Sequence, residues 1–334
     1  MEKLKMTTVL FSAPYMIPYL DRFRPLFDRY GIDLIVPEVQ ERLEEDQILA
    51  YAGQFDGAIC GDDRYTKQAI LACAPRLKVI SKWGTGIDSI DAEFAKSLGI
   101  LVGRTPNAFT MAVADTVMGY LLAFARQQPW MDRQLKGGKW AKIQGRSLSE
   151  CTLGVVGVGY IGKAILHRAR AFGMRLLGND IVDIDPEFLL EHGVEMAPLD
   201  SLLAQSDFVS LNCDLNPSSF RLINLEKLRV MKSTAILVNT SRGQVVDEPA
   251  LIDALKGGKI AGAALDVFEE EPLPLEHPFL KMDNVMLAAH NANSSPTAWE
   301  RVHRNTIRTL FEGLGIHLDD EHLVSEIGSA KHTP

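Results

Sequence analysis

Three ionisable side chains each follow a predicted strand in the second half of the chain. Arg242 comes after the run AILVNTS, Glu271 after GAALDVFEE and His290 after NVMLAA. Since the carboxyl ends of parallel strands meet at one edge of a sheet, we expect the three side chains to lie there together. A guanidinium can bind a carboxylate with two hydrogen bonds and polarise an adjacent carbonyl. An imidazole can give or take a proton, and a neighbouring glutamate fixes its tautomer, so the set predicts chemistry on a 2-oxo or 2-hydroxy acid.

Each of these residues also has a plainer interpretation. Arg242 can be a surface arginine that happens to follow a strand. Glu271 comes after two further glutamates, so spacing alone does not choose among the three, and the run can be a solvated acidic turn. His290 is one of eight histidines, with His277 nearby, and a lone histidine is more often structural.

The segment TLGVVGVGYIG, residues 152–162, combines a strand pattern with a glycine-rich turn. The apolar run ends at Gly157, and Gly159 and Gly162 complete a GxGxxG spacing before a predicted helix, 163–172. In such a fingerprint the first glycine permits the tight turn, the second lets a pyrophosphate approach the backbone, and the third lets the helix pack on the strand. The helix N-terminus then offers N–H groups to the phosphates, so the segment predicts a dinucleotide site.

An acidic residue after the second strand of this unit indicates which dinucleotide is bound. The predicted strand 175–178 ends at Asn179 and Asp180, and Asp180 lies 18 residues after Gly162. This is close to the roughly 20 residues expected for the carboxylate that binds a ribose 2′-hydroxyl. A carboxylate there repels a 2′-phosphate, so we expect NAD as the cofactor, with Asp183 as the alternative acid.

Composition restricts the classes of function that remain. The 334 residues suggest two domains, and 46% of them are hydrophobic, enough for sizeable cores. The net charge of −8 argues against nucleic-acid or membrane-surface binding. Four scattered cysteines without a CxxC pair fit free thiols in a reducing cytosol, so we expect a cytoplasmic protein. We also expect no signal peptide, no membrane span and no metal site.

The order of predicted elements gives an α/β fold of two doubly wound domains. Short strands and helices alternate through the first hundred residues, which indicates parallel βαβ units. A long apolar helix, 110–126, precedes the glycine fingerprint, and Pro129 is expected to end or bend it. A last long helix, 297–314, suggests a return to the first domain. We therefore predict a Rossmann NAD-binding domain, 104–295, inserted into a flavodoxin-like substrate domain, 1–103 and 296–334, with the active site in a cleft between them.

The chain resembles the D-isomer-specific 2-hydroxyacid dehydrogenases, and most closely their phosphoglycerate dehydrogenase-like branch. Besides the fingerprint, the matching segments are KWGTGIDSID (82–91), TPN (105–107), VNTSRGQVVDEPAL (238–251), GAALDVFEEEP (262–272) and NVMLAAH (284–290). The resemblance implies an NAD-dependent oxidoreductase that interconverts a small D-2-hydroxy acid and its 2-oxo acid, in which Arg242 is the substrate clamp and Glu271 and His290 the acid/base pair. It also implies a homodimer in which helix 110–126 packs across a two-fold axis, although that helix can equally be interior.

The resemblance also implies residues around the substrate and the cofactor. The backbone amides of Thr85 and Gly86 would hold the substrate carboxylate, and Lys82 would lie near a distal phosphate or simply face solvent. Asp266 would lie near the nicotinamide carboxamide. The expected cofactor-binding set is Gly157, Gly159, Tyr160, Ile161, Gly162, Asp180, Cys213, Asp214, Thr240 and Asp266.

Two departures from the family pattern leave the substrate open. Lys82 stands where phosphoglycerate-type members often have an arginine, and polar residues, Asn291 and Asn293, follow His290 in place of small ones. Glyoxylate, hydroxypyruvate, 3-phosphohydroxypyruvate and larger 2-oxo acids therefore all remain as substrates. The alternatives in function are a non-enzymatic NAD(H)-sensing scaffold or corepressor of the same fold and, more weakly, an amino-acid dehydrogenase.

Overall fold

The chain forms two compact α/β units, one inserted into the other. The computed structural model describes residues 7–318. One unit comprises the residues up to Ala108 and those from Ser295 onward, and the other runs from Phe109 to Ser294. The expected domain boundaries lie within a few residues of these points, and the ends of the expected substrate domain, 1–6 and 319–334, lie outside the described residues.

The discontinuous unit is built on a five-stranded parallel sheet with the order β2-β1-β3-β4-β5. In register, Val9 of the first strand lies opposite Gly57 of the third, and Ala58 opposite Ile80 of the fourth. A 2-1-3-4-5 order is the flavodoxin-like doubly wound arrangement. The strands are β1 (Thr7–Phe11), β2 (Ile32–Ile35), β3 (Gly57–Cys60), β4 (Val79–Lys82) and β5 (Leu101–Gly103).

The inserted unit contains a seven-stranded parallel sheet with the order β12-β11-β10-β9-β6-β7-β8. The chain winds one way from β6 to β8, then crosses back to β9 and winds the other way, as in the Rossmann fold. The strands are β6 (Thr152–Val156), β7 (Arg175–Asn179), β8 (Val194–Met196), β9 (Phe208–Leu211), β10 (Ile236–Asn239), β11 (Gly262–Leu265) and β12 (Val285–Leu287). The α/β class with two doubly wound parallel sheets is confirmed.

Helices join the strands in both units. In the discontinuous unit they are α1 (Leu20–Arg29), α2 (Glu45–Ala50), α3 (Lys67–Cys73), α4 (Ala92–Ser97) and the last helix, α12 (Pro296–Gly313). In the inserted unit they are α5 (Thr110–Arg126), α6 (Gln128–Lys136), α7 (Tyr160–Ala171), α8 (Pro186–His192), α9 (Leu199–Gln205), α10 (Leu225–Val230) and α11 (Glu248–Lys256). Ser295 caps α12 by accepting a hydrogen bond from the Ala298 N–H.

Both faces of the seven-stranded sheet are buried, which explains why its strands are continuously apolar. Val155 packs into the core on one face and Val156 into the core on the other; Leu176 and Leu177 divide in the same way. Because successive side chains of a strand point to opposite faces, a strand covered on both sides needs no polar alternation. The short apolar runs of the sequence are therefore central strands.

Two local expectations were wrong. Pro129 neither ends nor bends α5: that helix ends at Arg126, Gln127 turns the chain with a φ of 54°, and Pro129 lies in the first turn of α6. Proline is tolerated there because first-turn N–H groups have no partner inside the helix. The three-residue strand β8 was also missed, since an edge strand that is mostly exposed carries little apolar pattern.

Candidate functional site

The glycine fingerprint lies at the point where the winding of the seven-stranded sheet reverses. It follows β6, whose neighbours are β7 and β9, so its loop opens at the carboxyl end of the sheet. Gly157 has a φ of +89°, and a Cβ there would lie 2.6 Å from the Cys213 backbone N. A Cβ on Gly162 would lie 2.1 Å from the Gly157 carbonyl oxygen. These two glycines are therefore required by the fold itself.

Gly159 differs from its two neighbours in the fingerprint. A Cβ at this position would have nothing within 4 Å, so the protein's own packing does not require a glycine there. Gly159 precedes α7 and provides no side-chain cap, and the first N–H groups of a helix, here those of Tyr160 and Ile161, have no partner within it. An open backbone next to a helix N-terminus suits a pyrophosphate. The loop thus fits the phosphates of a dinucleotide.

Asp180 follows β7 and is tied to the fingerprint loop. Its Oδ2 accepts a hydrogen bond from the Val158 N–H at 2.6 Å, and its Oδ1 accepts one from the Val182 N–H at 3.2 Å. An ionised carboxylate has about four acceptor sites, so capacity remains for the hydroxyls of a ribose. Asp183, the alternative acid, is exposed. The geometry favours Asp180 over Asp183.

His290 and Glu271 form a hydrogen-bonded pair beyond the ends of β12 and β11. The His290 Nδ1 lies 2.9 Å from the Glu271 Oε2, and the other carboxylate oxygen, Oε1, accepts a hydrogen bond from the Phe268 N–H at 2.8 Å. Both side chains are about one fifth exposed. Since Glu271 accepts, Nδ1 carries a proton, which leaves Nε2 as the ring nitrogen able to give or take one. Among the three consecutive glutamates, Glu271 is therefore the one that faces the histidine.

The backbone at His290 is held by Asp266, which is almost fully buried. The His290 N–H donates to the Asp266 carbonyl oxygen at 2.8 Å, and the Asp266 carboxylate accepts from the N–H groups of Asn291 and Ala292, both at 2.9 Å. Burial raises the pKa of Asp266, and these two N–H groups act in the opposite direction. His290 itself has a φ of 49°, in the left-handed region that few residues adopt. Asp266 thus fixes a strained turn at the histidine.

Arg242 follows β10, and its turn packs directly against the turn that bears Glu271. A Cβ on Gly243 would lie 1.9 Å from the carbonyl carbon of Phe268, so only glycine permits this approach. The Asn239 side-chain amide donates to the Arg242 carbonyl oxygen at 2.9 Å, and the Arg242 guanidinium donates to the Ser241 carbonyl oxygen, also at 2.9 Å. The structure therefore brings the arginine turn and the glutamate turn into contact.

The remaining predicted cofactor residues lie at the same edge of the sheet. Cys213 and Asp214 follow β9, where Cys213 is half-buried and Asp214 exposed. Burial raises the pKa of the Cys213 thiol to about 11, so it stays protonated at neutral pH. The Thr240 hydroxyl oxygen is buried and has no hydrogen-bond partner within residues 7–318.

In the discontinuous unit, Thr85 and Gly86 lie on a loop after β4. The Thr85 hydroxyl donates to the Thr105 carbonyl oxygen at 2.9 Å, which ties the loop to its neighbour. Neither the Thr85 nor the Gly86 N–H donates a hydrogen bond within the part of the chain that the structure describes. Two adjacent unpaired N–H groups suit a carboxylate.

Lys82, at the end of β4, is 4% exposed and therefore does not face solvent. Its Nζ lies 3.1 Å from the Asp62 Oδ1 and donates to the Trp83 carbonyl oxygen, also at 3.1 Å. A buried ammonium needs such partners because desolvation disfavours its charge. The charge of Lys82 is thus balanced within this unit.

Three residues of the site escaped the sequence reasoning in their actual roles. Gly243 allows the two turns to touch, Asp266 holds the histidine turn, and Glu248 accepts a hydrogen bond from the Glu269 N–H. Only the glycine of the SRG run gave any signal, since glycine next to a charged site often marks a close backbone approach. The other two bind loops distant in sequence, which no spacing rule encodes.

Within residues 7–318, no group of three or more histidine, cysteine, aspartate or glutamate side chains could hold a metal ion. The same residues include no helix with both the length and the apolar character to cross a membrane. All four cysteines are unpaired.

Comparisons with known proteins show which family the chain is similar to. Residues 118–292 match the profile of the NAD binding domain of D-isomer specific 2-hydroxyacid dehydrogenases. A glyoxylate reductase of Korarchaeum cryptofilum is 46% identical over 68% of this chain and 70% of its own length. A D-3-phosphoglycerate dehydrogenase of Methanocaldococcus jannaschii is 39% identical over 78% of this chain, but over only 50% of its own length. The structure of D-lactate dehydrogenase from Aquifex aeolicus, complexed with NAD and lactic acid, superposes with a TM-score of 0.82 at 26% identity, covering 96% of this chain and all of that one.

Proposed function

The chain belongs to the D-isomer-specific 2-hydroxyacid dehydrogenase family, and we propose that it acts on small 2-oxo acids without a distal charge, glyoxylate foremost and hydroxypyruvate next. As a member of that family it is an NAD-dependent oxidoreductase of 2-hydroxy and 2-oxo acids. The intact set of Arg242, Glu271 and His290 disfavours a non-enzymatic scaffold of the same fold, and ammonium-dependent turnover would identify an amino-acid dehydrogenase. We propose the residue roles and the choice of substrate. The hydrogen-bonded pair of Glu271 and His290 is the observation that best supports the residue roles.

His290 is the proton-transfer residue in this proposal. Glu271 keeps a proton on Nδ1, so Nε2 faces the reacting oxygen. In reduction the protonated ring donates from Nε2 to the oxygen that becomes the hydroxyl, and in oxidation the neutral ring takes that proton back. The nicotinamide cofactor, when bound, supplies or accepts the hydride. The left-handed turn held by Asp266 fixes the ring, so that proton transfer does not wait on loop motion.

Arg242 and the loop of Thr85 and Gly86 bind the substrate in this proposal. The guanidinium binds the carboxylate and polarises the neighbouring carbonyl, which also stabilises the negative charge that develops on its oxygen. The unpaired N–H groups of Thr85 and Gly86 donate hydrogen bonds to a substrate carboxylate in this proposal. The contact between the Arg242 turn and the Glu271 turn at Gly243 keeps clamp and acid/base pair in a fixed relation.

For the cofactor, we propose that the fingerprint amides bind the pyrophosphate and that Asp180 binds the adenosine ribose. The open backbone at Gly159 and the acceptor capacity left on Asp180 support this assignment. Four further residues at the same sheet edge complete the proposed cofactor set: Cys213, Asp214, Thr240 and Asp266.

Lys82 bears on the choice of substrate. Its charge is balanced by Asp62 and its side chain is almost fully buried, so it offers a distal phosphate no uncompensated positive charge. Binding a phosphate there would require separating a buried ion pair, which is costly. This favours glyoxylate and hydroxypyruvate over 3-phosphohydroxypyruvate.

The test follows NADH absorbance in purified protein with glyoxylate, hydroxypyruvate, 3-phosphohydroxypyruvate and pyruvate, at neutral pH. We expect the highest kcat/KM for glyoxylate or hydroxypyruvate. The matched control is Arg242→Ala, which should raise KM for all four acids because they share the carboxylate. A preference for 3-phosphohydroxypyruvate would contradict the substrate, and an unchanged KM in Arg242→Ala would contradict the clamp.

We also propose that the protein is a homodimer. The residues that follow α5 carry large apolar side chains in water: Leu135 is 56% exposed and Trp140 89% exposed. A second copy of the chain would remove this surface from water. Light scattering on the eluting protein should give twice the chain mass, and Trp140→Glu should shift it toward the monomer; a monomeric wild type would contradict the proposal.

A further inference from the structure

Glu248 is a buried acid that the proposed mechanism does not use. It is the first residue of α11 and is only 7% exposed. One carboxylate oxygen, Oε1, accepts a short hydrogen bond from the Glu269 N–H, and the other, Oε2, lies 3.4 Å from the His277 Nε2. Buried carboxylates are rare unless such partners satisfy them. Both partners of Glu248 belong to the segment that follows β11.

The backbone of Glu269 is held at both of its polar groups by the segment after Arg242. Its N–H donates to Glu248, and its carbonyl oxygen accepts a hydrogen bond from the Gln244 side-chain amide at 3.0 Å. Gly243 lies between these contacts, against Phe268 and Glu269, where a side chain would collide with the backbone. The segment 243–248 thus fixes the position of the chain at Glu269.

Glu271 lies two residues beyond this fixed point. Its own carboxylate accepts a hydrogen bond from the Phe268 N–H and contacts the His290 ring. The Glu271 side chain therefore reaches the histidine from a turn whose start is held by Glu248 and Gln244. A shift of about 1 Å in that turn would change the contact between Glu271 and His290, and misplacements of this size can cost up to about 100-fold in rate.

We propose that Glu248 is a positioning residue for His290, acting through the Glu269 N–H to hold the turn that presents Glu271. The inference rests on the proposed function, since it matters for activity only if Glu271 and His290 exchange the proton. It extends that function by assigning the first turn of α11 to the site.

Several charged groups face Glu248, and they shape the test. Glu269, Glu270 and Glu271 approach it from the turn, and together with burial, the largest cause, they raise the pKa of Glu248. The His277 ring faces Glu248 from beyond the turn. The Arg221 guanidinium lies 3.8 Å from the Asp247 Oδ2 and 3.6 Å from the Glu269 Oε1. His290 is faced by Glu271 and, through its charge, by Asp266. A change of Glu248 to Gln removes the charge but keeps an oxygen for the Glu269 N–H.

The experiment compares Glu248→Ala with Glu248→Gln in the full-length protein. We expect Glu248→Ala to lower kcat for glyoxylate reduction by about 10- to 100-fold and to move the pH profile of kcat/KM toward that of Glu271→Gln. Its Kd for NADH, measured by fluorescence, should stay within about twofold of wild type. Glu248→Gln should recover most of kcat, because its amide oxygen still accepts from Glu269.

Asp207→Asn is the matched control. Asp207 is also 7% exposed and also accepts a backbone hydrogen bond, from the Thr152 N–H at 2.8 Å, but it precedes β9 at the amino edge of the sheet. Asp207→Asn should lower Tm without changing kcat or the pH profile. Gln244→Ala, which removes the other tether of Glu269, should lower kcat by about three- to tenfold and serves if Glu248→Ala does not fold.

The outcomes separate the two proposals. If Glu248→Ala keeps the wild-type kcat and pH profile, or if it loses activity only in parallel with Asp207→Asn, the positioning role is wrong. If neither Glu248→Ala nor Gln244→Ala changes the pH profile while Glu271→Gln does, the positioning role fails and the proposed function stands. If Glu271→Gln itself retains wild-type turnover, the proposed function fails first.

Discussion

The two parallel sheets of this protein share an architecture but satisfy polar groups differently at their carboxyl edges. At the seven-stranded sheet, the carboxylates of Asp180, Asp266 and Glu271 accept hydrogen bonds from backbone N–H groups of the surrounding loops. At the five-stranded sheet the Asp63 carboxylate likewise accepts from the Leu43 N–H, but Lys82 is paired with the side chain of Asp62. The loop amides of Thr85 and Gly86 are left unpaired among the described residues.

This difference shows how one fold type supports two roles. A carboxylate that accepts from backbone N–H groups fixes the path of a loop, and with it the side chains the loop presents. A side-chain pair neutralises charge locally and leaves nearby backbone groups for a ligand. In the inserted unit the loops are therefore fixed and hold their side chains in place. In the discontinuous unit, the loop of Thr85 and Gly86 instead has backbone N–H donors available for a ligand.

Removal of the histidine ring should have the largest effect. His290→Ala should lower kcat/KM for glyoxylate by about 100- to 10,000-fold, the range that general acid–base catalysis supplies. The fold and the fingerprint should be unaffected, so NADH should still bind with a near-normal Kd in a fluorescence titration. Near-normal turnover in the purified variant would remove the proposed role of the constellation.

Two buried titratable residues of the discontinuous unit, His303 and Asp63, should make the free energy of unfolding depend on pH. His303 is buried, and its Nδ1 accepts from the Trp83 indole N–H at 3.0 Å. Burial lowers the pKa of His303 to about 4, from an ordinary 6.5. The stability it contributes is fully present above pH 6.5 and is lost as the pH falls through 4, by about 3 kcal/mol.

Asp63 opposes His303, because burial raises the pKa of Asp63 to about 6 from 3.8. Folding therefore favours its protonated form, and stability rises as the pH falls from 6 to 4, by about 3 kcal/mol. Relative to wild type, His303→Gln should gain stability on acidification and Asp63→Asn should lose it, as measured by urea unfolding at pH 7 and pH 4. Parallel pH profiles in the three proteins would contradict the assignment.

The two glycines Gly162 and Gly159 form a matched pair within the fingerprint. An alanine at 162 would place its Cβ 2.1 Å from the Gly157 oxygen, so Gly162→Ala should lower stability by about 1–3 kcal/mol and also weaken NADH binding. An alanine at 159 meets nothing within 4 Å, so Gly159→Ala should keep Tm yet raise the Kd for NADH by about tenfold. Equal losses of Tm in the two variants would contradict the distinction.

The smallest effect is expected at the ion pair of Lys82. Asp62→Asn would leave the Lys82 charge uncompensated, so kcat/KM for 3-phosphohydroxypyruvate should rise about tenfold relative to that for glyoxylate. The control is Asp33→Asn, an exposed acid on β2 that should change neither value. An unchanged ratio in Asp62→Asn would show that the pair does not select against a distal phosphate.

Much of the fold could be predicted because its signals are local. The strands 208–211 and 262–265 and helix 110–126 were predicted with the bounds that the structure has, since each is a continuous apolar run or a long apolar helix. The short exposed strand β8 and the role of Pro129 escaped, because an edge strand and a first-turn proline depend on their neighbours more than on their own pattern.

The site was predictable in part for the same reason. Each of the three residues Arg242, Glu271 and His290 follows a predicted strand, and parallel strands bring such positions to one edge of the sheet. The choice of Glu271 among three consecutive glutamates needed the structure, because only the three-dimensional turn shows which carboxylate meets the ring.

The order of the amino acids was enough to predict two doubly wound sheets and the dinucleotide fingerprint, since both follow from periodicity and spacing along the chain. The identities of the residues that end three strands were enough to predict chemistry on a 2-oxo acid. Three contacts became visible only in the folded chain: Asp62 neutralises Lys82, Asp266 holds the histidine turn and Glu248 holds the glutamate turn. Those contacts join segments 20 or more residues apart through single hydrogen bonds and ion pairs, and such interactions leave no periodic trace in the sequence.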